Sequence, residues 1–260
     1  MTKYRLFFGV LTLAIGWNTY AGATPISLNL ADIAAGADLN WETASYGYDI
    51  KSSFGNYDPL NPLINVLALS VQNATDPVYG IVPAYLYFIS ENGDWTANVL
   101  NSRGWVIETE MRLDGSTETL DPTSPYYNYY NVALLINDDT YSTYISINPG
   151  TVFVGDPDLG GISIDVTTTD YHTYRIEGQD NFIKLYVDDQ LEVTYQQPGP
   201  SGGTEALAFG DQYSYGSSIS YWKSFSYDTD PAPAVPEPST ILLLGGGLAG
   251  LFITRRFVIR

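Results

Sequence analysis

The sequence predicts an all-β protein, an antiparallel β-sandwich or jelly roll, with an export leader before it and a short membrane segment after it. Three observations predict the sandwich. Runs with a two-residue alternation of apolar and polar side chains recur along the body, and Gly, Pro, Asn and Asp punctuate them at short intervals. Helical periodicity is almost absent between Ile26 and Tyr227. Only 15% of the 260 residues are charged while 22 are Tyr, a balance suited to pleated, half-buried surfaces. No internal repeat is visible.

The N-terminus is the first element. Lys3 and Arg5 form a basic start, Leu6 to Trp17 is a mostly apolar stretch, and Ala21-Gly22-Ala23 supplies small residues for cleavage. These three parts in order predict a signal peptide over 1–23 and a mature start near Thr24, hence an exported chain. A retained anchor or a buried helix is the plainer alternative. With no Cys, disulfides, thiolate catalysis and Cys-ligated metals are excluded.

Charge sharpens once the ends are set aside. Five of the 11 basic residues (Lys3, Arg5, Arg255, Arg256, Arg260) lie in the terminal segments, as does one of the 29 acidic residues, Glu237. The body therefore holds six basic and 28 acidic residues, a net charge of −22. Such a body is no partner for nucleic acid. Outside the cell it would attract cations, with Ca²⁺ the oxygen-seeking candidate; no other cofactor is expected.

The strands follow from 24 to 227. Trp105 to Leu113 alternates, with Trp105, Ile107, Met111 and Leu113 on one face and Glu108, Glu110 and Arg112 on the other. Tyr129 to Ile136 and Tyr144 to Asn148 read as strands, then a Pro149-Gly150 turn leads into Thr151 to Val154. Thr173 to Glu177, Phe182 to Val187 and Leu191 to Tyr195 make three more, joined by polar turns at Gly178 to Asn181 and Asp188 to Gln190.

Two stretches carry a resemblance. "TDYHTYRIEGQDNFIKLYVDDQLEVTY" (Thr169 to Tyr195) and "ALAFGDQYSYGSSISYWKSFSY" (Ala206 to Tyr227) resemble the later strands of concanavalin A-like lectin/glucanase domains of the laminin G-like kind. "GWVIETEMRL" (Gly104 to Leu113) sits where such domains have an early core strand. The resemblance covers Val66 to Tyr227 and implies the fold, which hosts lectins, glycosidases and adhesion modules alike. The chain departs from the pattern at Asp189, where a turn glycine is usual, and at Lys223, where an acidic residue often follows the Trp.

The chemistry-bearing candidates are few. His172, the single histidine, shares its strand parity with Tyr174 and Ile176, which predicts a buried, hydrogen-bonded structural residue. Glu108 and Glu110, two apart on one strand face, stand about 6–7 Å from each other, within the range glycosidases use. The glucanases of the resembled fold have Glu-x-Asp-x-x-Glu or Glu-x-Asp-x-Glu. Here "ETEMR" lacks the central Asp and puts Arg112 in the third position, where it would pair with Glu110 in a solvated ladder. No catalytic residue is therefore assigned.

Three acidic loops could hold a cation: Asn137 to Asp139, Gly155 to Gly161, and the one ending at Asp211. Asp156 and Asp158 are the first choice, with ordinary turn chemistry as the alternative. "SPYYNYYNV" (Ser124 to Val132) mixes aromatic rings with amides, as sugar recognition does, so Tyr126, Tyr127, Tyr129 and Tyr130 are candidate glycan contacts. A strand entry with alternate tyrosines packed inward explains them equally.

The tail comes last. Asp228 to Ala234 reads as a semi-rigid Pro/Ala linker. Beyond it, 235–260 joins Pro236-Glu237-Pro238 to Ser239-Thr240, an apolar Gly-rich run and Arg255-Arg256. The helix expected over 241–254 has an apolar run of 13 residues, Ile241 to Ile253, about 20 Å long against a hydrocarbon core of about 30 Å. The prolines hold Glu237 in an extended, accessible peptide, and the arginines stay cytoplasmic. This stretch resembles the PEP-CTERM sorting signal of Gram-negative bacteria. The resemblance implies an exosortase that recognises the signal and cuts near it, a transient membrane anchor, and release towards an exopolysaccharide matrix. A permanent tail anchor is the alternative.

Two function classes remain after this reading. One is a non-catalytic surface or matrix protein that binds exopolysaccharide or another glycan; the other is a secreted carbohydrate-active enzyme of the same fold.

Overall fold

The computed structural model describes residues 25–38, 40–46, 51–55, 58–72, 74–76, 80–82, 84–90, 94–99, 104–114, 131–156, 160–200, 205–214 and 217–230. They belong to a compact unit over Ala23–Pro231. Its strands are β1 (Ile26–Ser27), β2 (Glu42–Tyr46), β3 (Lys51–Gly55), β4 (Val66–Gln72), β5 (Ala74–Asp76), β6 (Gly80–Val82), β7 (Ala84–Ser90), β8 (Trp105–Leu113) and β9 (Asn131–Asn137). They continue as β10 (Ser142–Asn148), β11 (Thr151–Asp156), β12 (Gly160–Asp165), β13 (His172–Gln179), β14 (Phe182–Val187), β15 (Gln190–Gln196), β16 (Ala206–Ser214) and β17 (Ser217–Asp228). Two short helices, α1 (Leu30–Ala34) and α2 (Asp94–Val99), interrupt them.

Two large antiparallel sheets form the sandwich. The first runs β15-β14-β13-β8-β17-β4-β3, and the second β12-β11-β10-β9-β16-β7-β2. Strand β17 is long enough to serve two partners along one edge. Its first half pairs with β4 and its end pairs with β1, where Ile26 faces Tyr227. The three strands β13 to β15 form a meander, as the polar turns predict. Asp188 and Asp189 lie at φ +50° and +65° in the two-residue loop joining β14 to β15. Positive φ at both positions marks the type I′ hairpin, and Asp is among the few residues besides glycine that tolerate it. The non-glycine Asp189 thus keeps the turn.

The predicted face of β8 is the buried one. Trp105, Ile107, Met111 and Leu113 are all closed to solvent and join a single core with Leu134, Ile136, Phe209 and Trp222 of the two sheets. Phe209 and Phe225 stack across the sandwich at 4.3 Å between ring centroids, with Trp41 edge-on to both. Fully burying a side chain of this size contributes about 1.5–3 kcal/mol relative to leaving it exposed, so this aromatic group is a substantial part of the inter-sheet contact. Trp95 of α2, also fully buried, donates its indole N–H to the Asn137 carbonyl at 3.0 Å and seals one end.

Candidate functional site

The alternation that sends Ile107, Thr109 and Met111 into the core puts Glu108, Glu110 and Arg112 on the opposite, outer face of the eight-stranded sheet. Register brings neighbours to them. Thr173 lies opposite Glu110 and Arg175 opposite Glu108 on β13, while Tyr221 lies opposite Arg112 on β17. A bulge between Trp222 and Ser224 leaves Lys223 as the extra residue of β17. Its ammonium turns onto the Glu110 carboxylate and sits 3.6 Å from the centroid of the Tyr171 ring. The partner expected for Glu110 was Arg112; the bulge supplies Lys223 instead, because register alone does not show where an extra residue enters.

Arg112 has a different partner and a different environment. It is 2% exposed, and its Nη2 donates to Asp58 Oδ1 at 3.0 Å; the Asp58 side chain is fully buried. Asp58 comes from the segment between β3 and β4, where its Oδ1 also accepts the Leu60 N–H in an Asx turn that Pro59 favours. Its Oδ2 accepts the Tyr171 hydroxyl at 2.9 Å. The guanidinium lies 4.3 Å over the Tyr221 ring and 5.5 Å from that of Tyr171, with Asp114 at 3.8 Å. Arg112 is therefore not part of a solvated ladder; a loop and two tyrosines cover it.

The electrostatics follow from this cover. Burial pushes the Asp58 carboxyl up, but the Leu60 N–H, Arg112 and the Tyr171 hydroxyl together hold it below the usual carboxylate range. Burial works against the Arg112 charge and Asp58 outweighs it, so the guanidinium is held more firmly protonated than usual. Burial, reinforced by Asp58, pushes the Tyr171 phenol far up.

A second group occupies β13 and β14. Arg175 Nη1 meets Glu177 Oε1 at 2.8 Å, and its guanidinium stacks 4.1 Å over Tyr186. Tyr186 donates to Glu177 Oε2 at 3.2 Å, and Lys184 reaches the same carboxylate at 4.0 Å. The outer face is thus a mosaic of paired charges and tyrosine rings. It can offer hydrogen-bond donors, acceptors and flat apolar surface side by side.

His172 does join Tyr174 on one side of β13, ring centroids 6.1 Å apart, and is hydrogen-bonded as expected. It is not buried: at the strand's first position its side chain stays 19% exposed. Its Nδ1 meets Asp188 Oδ2 at 2.7 Å and its Nε2 the Thr167 carbonyl at 3.0 Å. One partner is a carboxylate oxygen and the other a backbone carbonyl, so the ring is fixed at both nitrogens.

The acidic loops divide. Asp138 uses Oδ1 for the N–H groups of Thr140 and Tyr141 and Oδ2 for the Trp105 indole, so it serves the turn and the core edge. Asp211 is buried and takes the Ser220 hydroxyl at 3.3 Å. Asp156 ends β11, paired through its backbone with Gly160, while Asp158 lies outside the described residues. So do Tyr126, Tyr127, Tyr129 and Tyr130, and Pro236, Glu237, Pro238, Arg255 and Arg256. Among the described residues no three His, Cys, Asp or Glu gather as a metal site, and no helix is long and apolar enough to cross a membrane. Asp58, Tyr171 and Tyr221 escaped sequence reasoning. Only the Asp-Pro turn signal at Asp58 was visible locally, and it does not name a partner on β8.

Residues 234–256 match the PEP-CTERM protein-sorting motif. None of the curated proteins matches the sequence. Among solved structures, a native glycosidic hydrolase is similar at a TM-score of 0.50 and 13% identity, over 81% of this chain and 98% of its own. An alginate lyase of polysaccharide lyase family 7 gives 0.47 and 13%, over 70% and 83% of the two chains. The binding domain of botulinum neurotoxin DC gives 0.47 and 8%, over 76% of this chain; the chain spans only 44% of that structure's length. The motif implies an exosortase-targeted surface protein, exported and anchored at its C-terminus for sorting. The chain carries a PEP-CTERM sorting motif at residues 234–256, behind a two-sheet antiparallel sandwich of the concanavalin A-like, jelly-roll kind.

Proposed function

We propose that this chain is exported, cut by an exosortase near Pro236-Glu237-Pro238, and kept at the cell surface or in the extracellular matrix as a glycan-binding protein without catalytic turnover. The observation that carries the reading is the sorting motif at 234–256; a sandwich sorted to the cell surface through it would meet the polysaccharide there. The non-catalytic part is supported by Glu110, whose carboxylate is engaged by Lys223. A glycosidase needs one carboxyl as proton donor and another free to attack or to activate water.

The second reading, a secreted carbohydrate-active enzyme, is favoured by one observation: Glu108 and Glu110 do share an outward face of β8. One experiment separates them. The processed protein is applied to a glycan array with and without Ca²⁺, and the glycans it retains are assayed for new reducing ends. Retention without cleavage is expected. Cleavage that disappears in Glu108→Gln would establish the enzyme instead.

A further inference from the structure

We propose that the outer face of the eight-stranded sheet is the glycan-docking surface and that its ligand is an uncharged polysaccharide. This rests on the glycan-binding reading above and adds the place and the chemical class.

Charge distribution is the first support. Four of the six basic residues in the body, Arg112, Arg175, Lys184 and Lys223, gather on this one face. Each is matched to a carboxylate there: Asp58, Glu177 for both Arg175 and Lys184, and Glu110. Counting Glu108, Asp114 and Asp228 as well, the face sets six carboxylates against these four cations, so it is far less acidic than the rest of a body of net charge −22. Elsewhere in the body the acidic residues share only Lys51 and Arg103. At about 0.1 M salt the Debye length is about 10 Å, so an approaching polyanion meets the acidic surroundings before it meets these cations. On arrival it would have to displace a protein carboxylate from each cation it used. A hydroxyl asks for neither: it donates to a carboxylate and accepts from an ammonium or guanidinium while the ion pair stays intact.

Geometry is the second support. Register aligns Ser226, Glu108, Arg175 and Tyr186 in one row across β17, β8, β13 and β14. At about 4.8 Å per strand the row is roughly 14 Å long. Ser224, Glu110 and Thr173 form the neighbouring row. Glu108 and Ser224 are exposed, and Glu110, Arg175 and Tyr186 partly so. Hydroxyl, carboxylate, guanidinium and aromatic ring therefore follow one another along an open strip. Tyr186, held by Arg175 above and Glu177 at its hydroxyl, offers an edge already ordered before any sugar arrives.

Titration calorimetry of the processed protein tests the proposal. The ligands are neutral polysaccharides (dextran, a mixed-linkage β-glucan, a galactomannan) and acidic ones (alginate, hyaluronate), at low and at physiological salt. At least one neutral polymer is expected to bind with an affinity that changes less than about twofold between the salts, and the acidic ones are expected not to bind at low salt. Glu108→Ala and Tyr186→Ala should each weaken neutral binding by about tenfold or more, with melting curves confirming that both variants are folded. Acidic polymers bound more tightly at low salt, with Arg175→Ala abolishing it, would overturn the ligand class and leave glycan binding standing. Neutral binding untouched in both folded variants would overturn the face. If no glycan binds at all, the glycan-binding reading fails and this proposal with it.

Discussion

Arg112 and Asp58, 54 positions apart in the sequence, meet at 3.0 Å with both side chains closed to solvent. The pair pins the segment before β4 over the outer face of β8 and brings Tyr171 with it through the Asp58 carboxylate. A buried pair contributes little compared with an apolar replacement, yet breaking it leaves an uncompensated charge. Asp58→Ala is therefore expected to lose about 3–5 kcal/mol in urea unfolding. The double variant Asp58→Leu/Arg112→Met should return to within about 1 kcal/mol of the parent, because no charge is then stranded. A loss under about 1 kcal/mol for Asp58→Ala alone would show that the loop is held by something else.

The same carboxylate sets an acid limit. Against the upward push of desolvation, Asp58 is held below the ordinary aspartate value by its hydrogen bonds to the Leu60 N–H, Arg112 and Tyr171, and the more exposed Asp188 by those to His172 and Thr173. A depressed group adds stability that is present above its unfolded value and is lost as pH falls through the folded one. Unfolding free energy should hold steady above about pH 5 and decline below about pH 4. Asp188→Asn should make that decline shallower. An acid decline equally steep in Asp188→Asn would remove this hairpin from the explanation.

At the other end of the scale, burial raises the phenols of Tyr171, Tyr174, Tyr186 and Tyr221. Stability from a raised group is whole below the unfolded value and lost as pH rises beyond it, so the protein should weaken above about pH 10. Phenolate absorbance followed through an alkaline titration should show a class of tyrosines that ionise only as the fold opens. Ionisation of every tyrosine near its free value, with the fold intact, would contradict this.

Gly178 faces Trp105 across the β13–β8 pair, and a Cβ there would stand 2.1 Å from the indole ring. The Trp105 ring is also held by its hydrogen bond to Asp138 at 3.0 Å. Gly178→Ala should therefore cost about 1–3 kcal/mol through overpacking, although alanine suits a strand better than glycine. Near-ultraviolet circular dichroism reports the displaced indole. An unchanged spectrum and melting temperature would mean that the ring has room to move.

For the tail, Glu237→Ala should leave a larger, membrane-bound form to accumulate, because the apolar run and its arginines survive while the recognition element is lost. Deleting Arg255 and Arg256 should instead weaken retention and orientation before processing. Mass spectrometry of the mature protein from its host decides the point. A surface form still ending in Arg260 would leave a plain tail anchor.

Much of this protein could be read without a structure, and the reason is locality. β8 and β14 were legible to their end residues, since a two-residue alternation is written in the strand itself. The sorting motif was legible because order and spacing along the chain are all it consists of. The strands β1 to β7, β12, β16 and β17 were not assigned individually. β12, for instance, is a Gly-Gly-led strand exposed along almost its whole length and carries no buried face to announce it. The outer face of the large sheet was beyond reach for a further reason. Sequence placed Glu108, Glu110 and Arg112 together, but whether a charge on that face is solvated, paired or buried depends on which strands flank it. Asp58, Tyr171, Tyr221 and Lys223 arrive from three distant segments and a bulge. Alternation assigns a side chain to a face; only the assembled sheet decides what covers it.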